Sequence, residues 1–536
     1  MLRVVTVMAT ATGMATAMDT AMAAMTRLRP EPRHLPLALA LIAVAAHAQQ
    51  GDGGAGSPIK PRLGISQSFT DNLRLSDREK DAALITTVSP GISVVMNSGS
   101  VRGTLDYSLN GITYLKTSYG TRVQNSLSAN AQAEILPRTF YVEAQANIGQ
   151  QNTSAFGLQS APTLGSQGSV SALDNPNSRE TGTLTVSPLL RSQLGGLASV
   201  DLRGNFSMTE ARGSAIGDSH ASGGTLRINQ LRPGILSWYL QATTQQVRPK
   251  AAQTNRTSSA VVGLNYQPDP DWTFSGNVGE ERNDYRSRQG TAEQGLTGGL
   301  TAQWSPTPRT RLSGDYQRHS YGDSHGLTFE HRMRNSVWRV ADTRTVTLGN
   351  TGAAGGIRTN YDLYFLLFAS LEPDPVKRDA LVRAALLSLG LSPDAPASVG
   401  FLSAGPSQLR NQLFSFTLQG VRSNITASVS RSLTIRLGSG LNQGDLASNA
   451  LIEQRSYSLS GSYQLSPVSG LSLTASRQES IGDAATRRTQ LTSLFANWNV
   501  RLGGRLSAQL GARHSRFEGT TPYTENAAYA NLTQQF

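Results

Sequence analysis

Tyr457-Ser458-Leu459-Ser460-Gly461-Ser462-Tyr463-Gln464-Leu465 alternates apolar or small residues with hydroxyl and amide residues. Successive side chains of an extended strand point to opposite faces, so this stretch is a strand with one apolar and one polar face. The pattern returns in Trp272, Phe274, Gly276 and Val278 against Thr273, Ser275 and Asn277, and in Leu506, Ala508, Leu510 and Ala512 against Ser507, Gln509 and Arg513. Such bursts run from about residue 60 to Phe536. A soluble sandwich also alternates, but the number of bursts and the chemistry around them favour a barrel in an outer membrane.

Composition agrees. Of 536 residues, 38% are hydrophobic and 16% charged, both low for an ordinary globular enzyme. Disorder is the competing reading of so polar a chain, and the regular alternation argues against it. A barrel needs only a thin apolar skin, and the 52 glycines suit its bends and loops. The absence of cysteine excludes disulfides, thiolate metal sites and cysteine nucleophiles. The formal charge of +12 is scattered rather than clustered, which speaks against nucleic acid. Arginines at a barrel rim or lumen would instead meet lipopolysaccharide phosphates or anionic solutes.

Arg27, Arg29 and Arg33 precede an apolar run from Leu35 to Ala46, closed by Ala46-His47-Ala48. That is a secretory signal, expected over residues 25–48, after a Met/Ala/Thr-rich extension over 1–24 that has no structural role. A Gly-rich segment follows over 49–57, then the barrel over 58–536. No run of 18 apolar residues follows the signal, so a closed barrel is the only integral membrane structure left. At the other end Ala528, Ala530, Leu532 and Phe536 share one face, with Gln534 breaking the series. Tyr529, Leu532 and the terminal aromatic Phe536 are expected to form the signal read by the barrel-assembly machinery.

Turn signals such as Asn97-Ser98-Gly99, Arg232-Pro233-Gly234, Pro306-Thr307-Pro308 and Pro467-Val468-Ser469-Gly470 separate the alternating segments. Polar stretches at 150–180, 210–222, 248–257, 282–292 and 440–451 lie between them. Tight turns on one side and long loops on the other are the outer-membrane layout. The fold expected is all-β, a single antiparallel transmembrane β-barrel of about 20 strands (18–22) with one helix-containing insertion. The insertion covers 350–410, where Leu381, Ala384, Ala385, Leu386 and Leu389 recur at helical spacing between Asp374 and Gly390. It either carries a helix at one rim or folds inward, in which case Val376, Leu381 and Leu386 would constrict the lumen.

A more specific likeness lies at residues 58–114. Thr70-Asp71-Asn72 is followed by Ser89-Pro90-Gly91 and by a tyrosine-bearing strand with Tyr107 and Tyr114. Further on come Phe329-Glu330-His331-Arg332-Met333-Arg334-Asn335 and Gly420-Val421-Arg422-Ser423-Asn424. Together these resemble the exosortase (PEP-CTERM) system-associated outer-membrane barrel proteins, whose members show a similar threonine-aspartate-asparagine element and a serine-proline-glycine turn. The resemblance covers most of the mature chain. It implies a bacterial outer-membrane location near exopolysaccharide and protein-sorting loci, and it supplies no catalytic residues.

His319, Asp323, His325, Glu330 and His331 crowd one expected hairpin, but their spacing is not that of a zinc site. His514 and Ser515 are adjacent on a strand and point to opposite faces, so they cannot be partners in one triad. No G-x-S-x-G, P-loop or H-E-x-x-H motif occurs. No catalytic residue, cofactor or metal ligand is therefore assigned, and the chain is not expected to be an enzyme. The expected function is a channel or accessory protein for exopolysaccharide or envelope-polymer export. A non-conducting structural or adhesion barrel is the alternative, and an outer-membrane hydrolase a third. The expected partners are outer-membrane lipid and lipopolysaccharide, the assembly machinery and polysaccharide.

Overall fold

Alternation becomes a wall in the computed structural model, which describes residues 59–115, 120–161, 172–285, 293–349, 364, 365, 368, 378, 382, 386, 400–438, 443–483 and 487–536. The expected extension, signal and Gly-rich segment lie outside the described residues. The wall begins with β1 (Ile59–Thr70), β2 (Ala83–Asn97), β3 (Val101–Leu115), β4 (Arg122–Leu136), β5 (Phe140–Asn152) and β6 (Ser178–Leu194). It continues with β7 (Ala198–Ala211), β8 (Ser214–Gln230), β9 (Leu236–Pro249), β10 (Asn255–Asp269), β11 (Trp272–Asn283) and β12 (Glu293–Thr307). Next come β13 (Thr310–His319), β14 (Gly322–Arg332), β15 (Ser336–Gly349), β16 (Ala404–Gln419) and β17 (Ser423–Arg436). A four-residue helix, α1 (Asp445–Ser448), precedes β18 (Leu451–Ser466). The last strands are β19 (Ser469–Ile481), β20 (Arg488–Arg501), β21 (Leu506–Glu518) and β22 (Tyr523–Gln535).

Each strand pairs antiparallel with the next, and β1 pairs with β22 from Arg62↔Gln535 to Thr70↔Ala527, so the 22-stranded sheet closes. Closure satisfies the strand edges that a bilayer cannot. No helix among the described residues is long and apolar enough to cross a membrane. The outward face carries Phe69, Val262, Leu300, Val429, Leu459 and Leu510, all exposed. The inward face is polar, with Thr426, Ser460, Thr474, Ser493 and Asn497 buried. This is an outer-membrane barrel.

Connections alternate in kind. Those after β2, β4, β6 and every later even strand are short turns, at the end of the barrel where β1 starts and β22 finishes. Those after odd strands include the long ones, which mark the cell-surface end.

The count of 22 stands at the top of the expected range. Residues 210–222, read as a polar loop, are mostly strand: β7 and β8 meet at the two-residue turn Arg212-Gly213. A 16-residue strand such as β18 rises about 3.3 Å per residue, far more than an apolar band about 25 Å tall requires. Beyond the band both faces are polar and the alternation vanishes from the sequence. Ser89-Pro90-Gly91 is likewise no turn but lies inside β2. The β2–β3 pairing is interrupted there, resuming at Gly91↔Ser108, and Ser89 Oγ donates to Asn110 Oδ1 at 2.7 Å across the gap. Proline, which has no N–H to give, fits that interruption.

At the turn end, Trp272 and Trp304 are opposed on β11 and β12 with rings 5.5 Å apart, and Trp338 meets Phe416 at 4.5 Å. These and Trp498 form an interfacial girdle. Tyr114, Tyr141 and Tyr239 also lie towards strand ends, where the sequence alone would place them in the same girdle, but they face inward. Tyr529 does too, and its ring lies over Gly511, where an added Cβ would clash with the phenol oxygen. Gly511→Val is expected to lower stability by about 1–3 kcal/mol by overpacking. The check is the temperature at which the compact folded band in detergent converts to the unfolded one.

Candidate functional site: the bridged mouth and the lumen wall

Thr70-Asp71-Asn72 works at the seam between the first and last strands. Thr70 Oγ1 donates to Glu525 Oε1 at 2.9 Å. Asp71 accepts from the Asn526 N–H at 2.7 Å and from its side-chain amide at 2.8 Å. The Asn72 amide donates to the carbonyls of Ser76 and Thr524 at 2.7 and 2.9 Å. The three residues thus staple the β1–β2 connection onto β22. The chain then turns inward through Leu75, whose φ of 56° is in the left-handed region, and buries Leu73 and Leu75 beside Ile85, Ile112, Phe517 and Tyr523. Beneath the staple, Arg513 donates to both carboxylate oxygens of Glu525 at 2.9 and 2.5 Å.

The β5–β6 connection crosses the mouth. Its neck is clasped by Asn177, which accepts from Thr153 Oγ1 and the Ser154 N–H and donates to the Ser154 carbonyl. Beyond the neck it meets the distant wall: Tyr523 Oη donates to the Gln159 carbonyl at 2.7 Å, and Ala161 packs with Phe495 and Tyr529. Its return leg is held by Tyr114 Oη on the Ala172 carbonyl at 2.8 Å and by the Arg122–Asp174 ion pair. The first turn of α1 supplies the latch. Asp445 accepts from Ser154 Oγ at 2.8 Å and from the Ala155 N–H at 2.5 Å. Ala155, Phe401, Leu446 and Ile452 pack around it. Phe401 bridges to Asn152 at the end of β5, and the Leu402 N–H donates to the Asn152 carbonyl at 3.0 Å. Because β5 and β16 stand half the ring apart, connections from opposite walls meet over the lumen.

Below this bridge the wall is a carpet of hydroxyls. Ser428, Ser458, Ser476, Ser493 and Ser515 occupy successive paired positions from β17 to β21, and the row ends at Glu525. The row towards the turn end begins Thr426, Ser460, Thr474. Ser472 Oγ, Thr474 Oγ1 and Ser515 Oγ are buried without a protein partner among the described residues. Several inward charges are matched, as in Arg62–Asp106, Arg203–Glu143 and Arg339–Glu330.

Of the expected constriction, Val376 and Leu381 lie outside the described residues. Leu386 and Val382 are fully buried and helical, and Arg378, four residues before Val382, is half-buried and helical. Tyr364 from the same segment hydrogen-bonds Ser460 on the inward face of β18. Of the terminal residues, Leu532 and Phe536 are exposed on the outer face, whereas Tyr529 is buried on the inner one.

The histidine cluster divides between the two faces of the wall. His319 points inward, with Nδ1 2.7 Å from Glu281 Oε2 and Nε2 3.0 Å from Ser324 Oγ. Glu281 also accepts from the N–H and hydroxyl of Ser320, each at 2.8 Å. An acid, an imidazole and a hydroxyl therefore stand in line, so distance alone does not exclude a hydrolase. The same bonds brace β11 against the β13–β14 turn, with Tyr321 stacked on His319 at 4.7 Å. His325 stands on the outer face, 3.5 Å from Asp342, and His331 accepts or donates at Thr310. His514 bonds Asn526 on the outer face while Ser515 is buried on the inner one. No group of three or more metal-binding side chains occurs among the described residues.

The serine row and the Asp445 latch have no counterpart in the sequence reading. Each serine is visible there as a polar strand position, but their alignment depends on register, and the latch joins residues about 290 positions apart.

No family model and no curated protein matches this sequence. Among solved structures, the apoprotein form of the FrpB iron transporter from Neisseria meningitidis (F5-1 variant) superposes with a TM-score of 0.49 at 11% identity, covering 90% of this chain and 82% of that one. The siderophore receptor PirA from Pseudomonas aeruginosa gives 0.43 at 9% identity, over 90% and 81%. A mutant ferric enterobactin receptor, PfeA, from the same organism gives 0.44 at 11% identity, over 90% and 81%. Superpositions this loose carry no argument about cargo or mechanism.

Proposed function

We propose that this outer-membrane barrel is a gated channel or accessory protein for export of a hydroxyl-rich envelope polymer of the exopolysaccharide class. The observation that carries this reading is the serine and threonine carpet on the inner wall beneath a bridged mouth. Sugar hydroxyls exchange hydrogen bonds with such a surface at little net cost, because each bond replaces one to water. The link to a PEP-CTERM sorting system rests on the sequence resemblance, above all Thr70-Asp71-Asn72. Under this reading the segment that includes Leu386 narrows the lumen, and the outward Leu532 and Phe536 present the assembly signal.

The mouth itself supports a second reading. With connections from opposite walls latched together, the barrel would serve as a non-conducting scaffold. Planar-bilayer recording separates the two. The export reading expects brief, infrequent openings that neutral glucan oligosaccharides block, together with loss of surface polysaccharide when the protein is deleted. Silence from both the native chain and a latch-broken variant, with an unchanged polysaccharide coat, would leave the scaffold.

A further inference from the structure

On the outer face of β17 to β20, above the apolar band, arginines stand over buried acids. Parity fixes the face: Arg431 lies two residues after the exposed Val429, and Arg455 two and four residues before the exposed Tyr457 and Leu459. Arg431 and Arg455 are directly opposed across β17 and β18, an arrangement that is unfavourable for like charges. Glu453 Oε1 lies between them, accepting from both Nε atoms at 2.6 and 2.7 Å. One strand further on, Glu479 accepts from Arg477 Nε at 2.7 Å and from an Arg488 terminal nitrogen at 3.2 Å. The acids lie underneath, with 11% and 5% of the side chain exposed for Glu453 and Glu479. The arginines lie on top, at 43%, 39%, 48% and 53% for Arg431, Arg455, Arg477 and Arg488. Four guanidinium groups thus cover two carboxylates, and the face shown to the membrane is positive.

Position narrows the partner. Two paired positions towards the turn end, and next on the same face, lie Val429 and Tyr457, at the edge of the apolar band. The guanidinium groups therefore sit at headgroup level on the cell-surface side, with acyl chains below them. The Nε atoms of Arg431 and Arg455 hold Glu453, and Arg431 Nη1 also donates to Gln412 Oε1 at 3.4 Å, which leaves the remaining terminal nitrogens of the two forks for an anion. Arginine forks match phosphate geometry in bidentate fashion.

We infer that this terrace binds the phosphate groups of an outer-leaflet glycolipid, whatever passes through the lumen. The test places the full-length barrel in nanodiscs containing bisphosphorylated lipid A, or the same lipid with its phosphates removed, and counts retained lipid by native mass spectrometry. The native protein should retain the phosphorylated form with about a tenfold preference, the scale of one or two charge-assisted contacts. Arg431→Gln/Arg455→Gln should lose that preference while keeping a heat-modifiable folded band, and Arg505→Gln at a turn should keep it. If the double glutamine variant does not fold, Arg431→Lys/Arg455→Lys retains the charges but not the forks and should still weaken retention. Equal retention of both lipids by the native barrel overturns the inference, as does a preference undiminished in both double variants. Equal retention of phosphatidylglycerol also overturns it, because the ligand would then be any anionic lipid.

Discussion

Glu525→Ala is expected to be the most damaging single substitution in the wall, lowering stability by about 3–5 kcal/mol. Glu525 is fully buried, and Arg513, which grips both its oxygens, is 6% exposed. Removing the carboxylate strands a buried guanidinium and takes the acceptor from Thr70 Oγ1. The first loss falls on the β21–β22 pair and the second on the β1–β22 seam that closes the ring. The measurement is the midpoint of conversion from the compact to the unfolded band on heating in detergent. Glu525→Gln, which keeps an acceptor for Thr70 but not the charge, should fall between the native chain and the alanine variant. A midpoint unmoved by Glu525→Ala would show that the seam does not depend on this pair.

The second large effect is on the mouth. Asp445→Ala removes the acceptor of the Ala155 N–H and the Ser154 hydroxyl, leaving donors unsatisfied in the latched state at about 1–3 kcal/mol. A penalty of that size shifts a closed-to-open ratio by about 5- to 150-fold, so the open-to-closed ratio in planar bilayers should rise by a factor in that range. The latch should also respond to pH. Burial lifts the Asp445 carboxyl above the ordinary aspartate range, against the opposing pull of the Ala155 N–H, the Ser154 hydroxyl and Arg487. A raised value in the latched state means that protonation favours the latch. The latch is then strongest below the ordinary aspartate range and weakens as pH rises through the elevated value. Current should accordingly be greater at neutral than at mildly acidic pH, and Asp445→Asn should flatten the difference. A pH response retained in Asp445→Asn would assign it to another group.

The wall was legible because its signal is local. In Tyr457 to Leu465 each residue reports its own face, and enough such segments leave only closure as a way to satisfy their edges. Legibility failed where a residue's neighbours are set by register or by distant chain. Residues 210–222 are polar on both faces because β7 and β8 rise past the bilayer, so this strand pair has the sequence pattern of a loop. Pro90 looked like a turn because the gap it occupies belongs to the β2–β3 pairing, not to β2. Tyr114 and Tyr529 are aromatic strand residues as Trp272 and Trp304 are, and only parity within the barrel separates inward from outward. For the mouth, the sequence pointed to 350–410, where Leu386 is buried and Val376 and Leu381 lie outside the described residues. The bridge seen at described positions comes from the β5–β6 connection, a Ser/Gly/Ala-rich stretch with no periodicity. Its partners, Asp445 and Tyr523, are hundreds of residues away.

The seam has a kinetic meaning. Every other ladder in the ring joins chain neighbours and can form as a hairpin, with little entropy lost to loop closure. The β1–β22 ladder alone joins partners such as Thr70 and Glu525, 455 residues apart. Contacts of such long range form late. Until then two strand edges stay open, and the Arg513–Glu525 pair, already formed within the β21–β22 hairpin, waits for Thr70. Assembly therefore resembles a zipper whose slowest event is its last, and the first and last strands set the pace for the whole barrel.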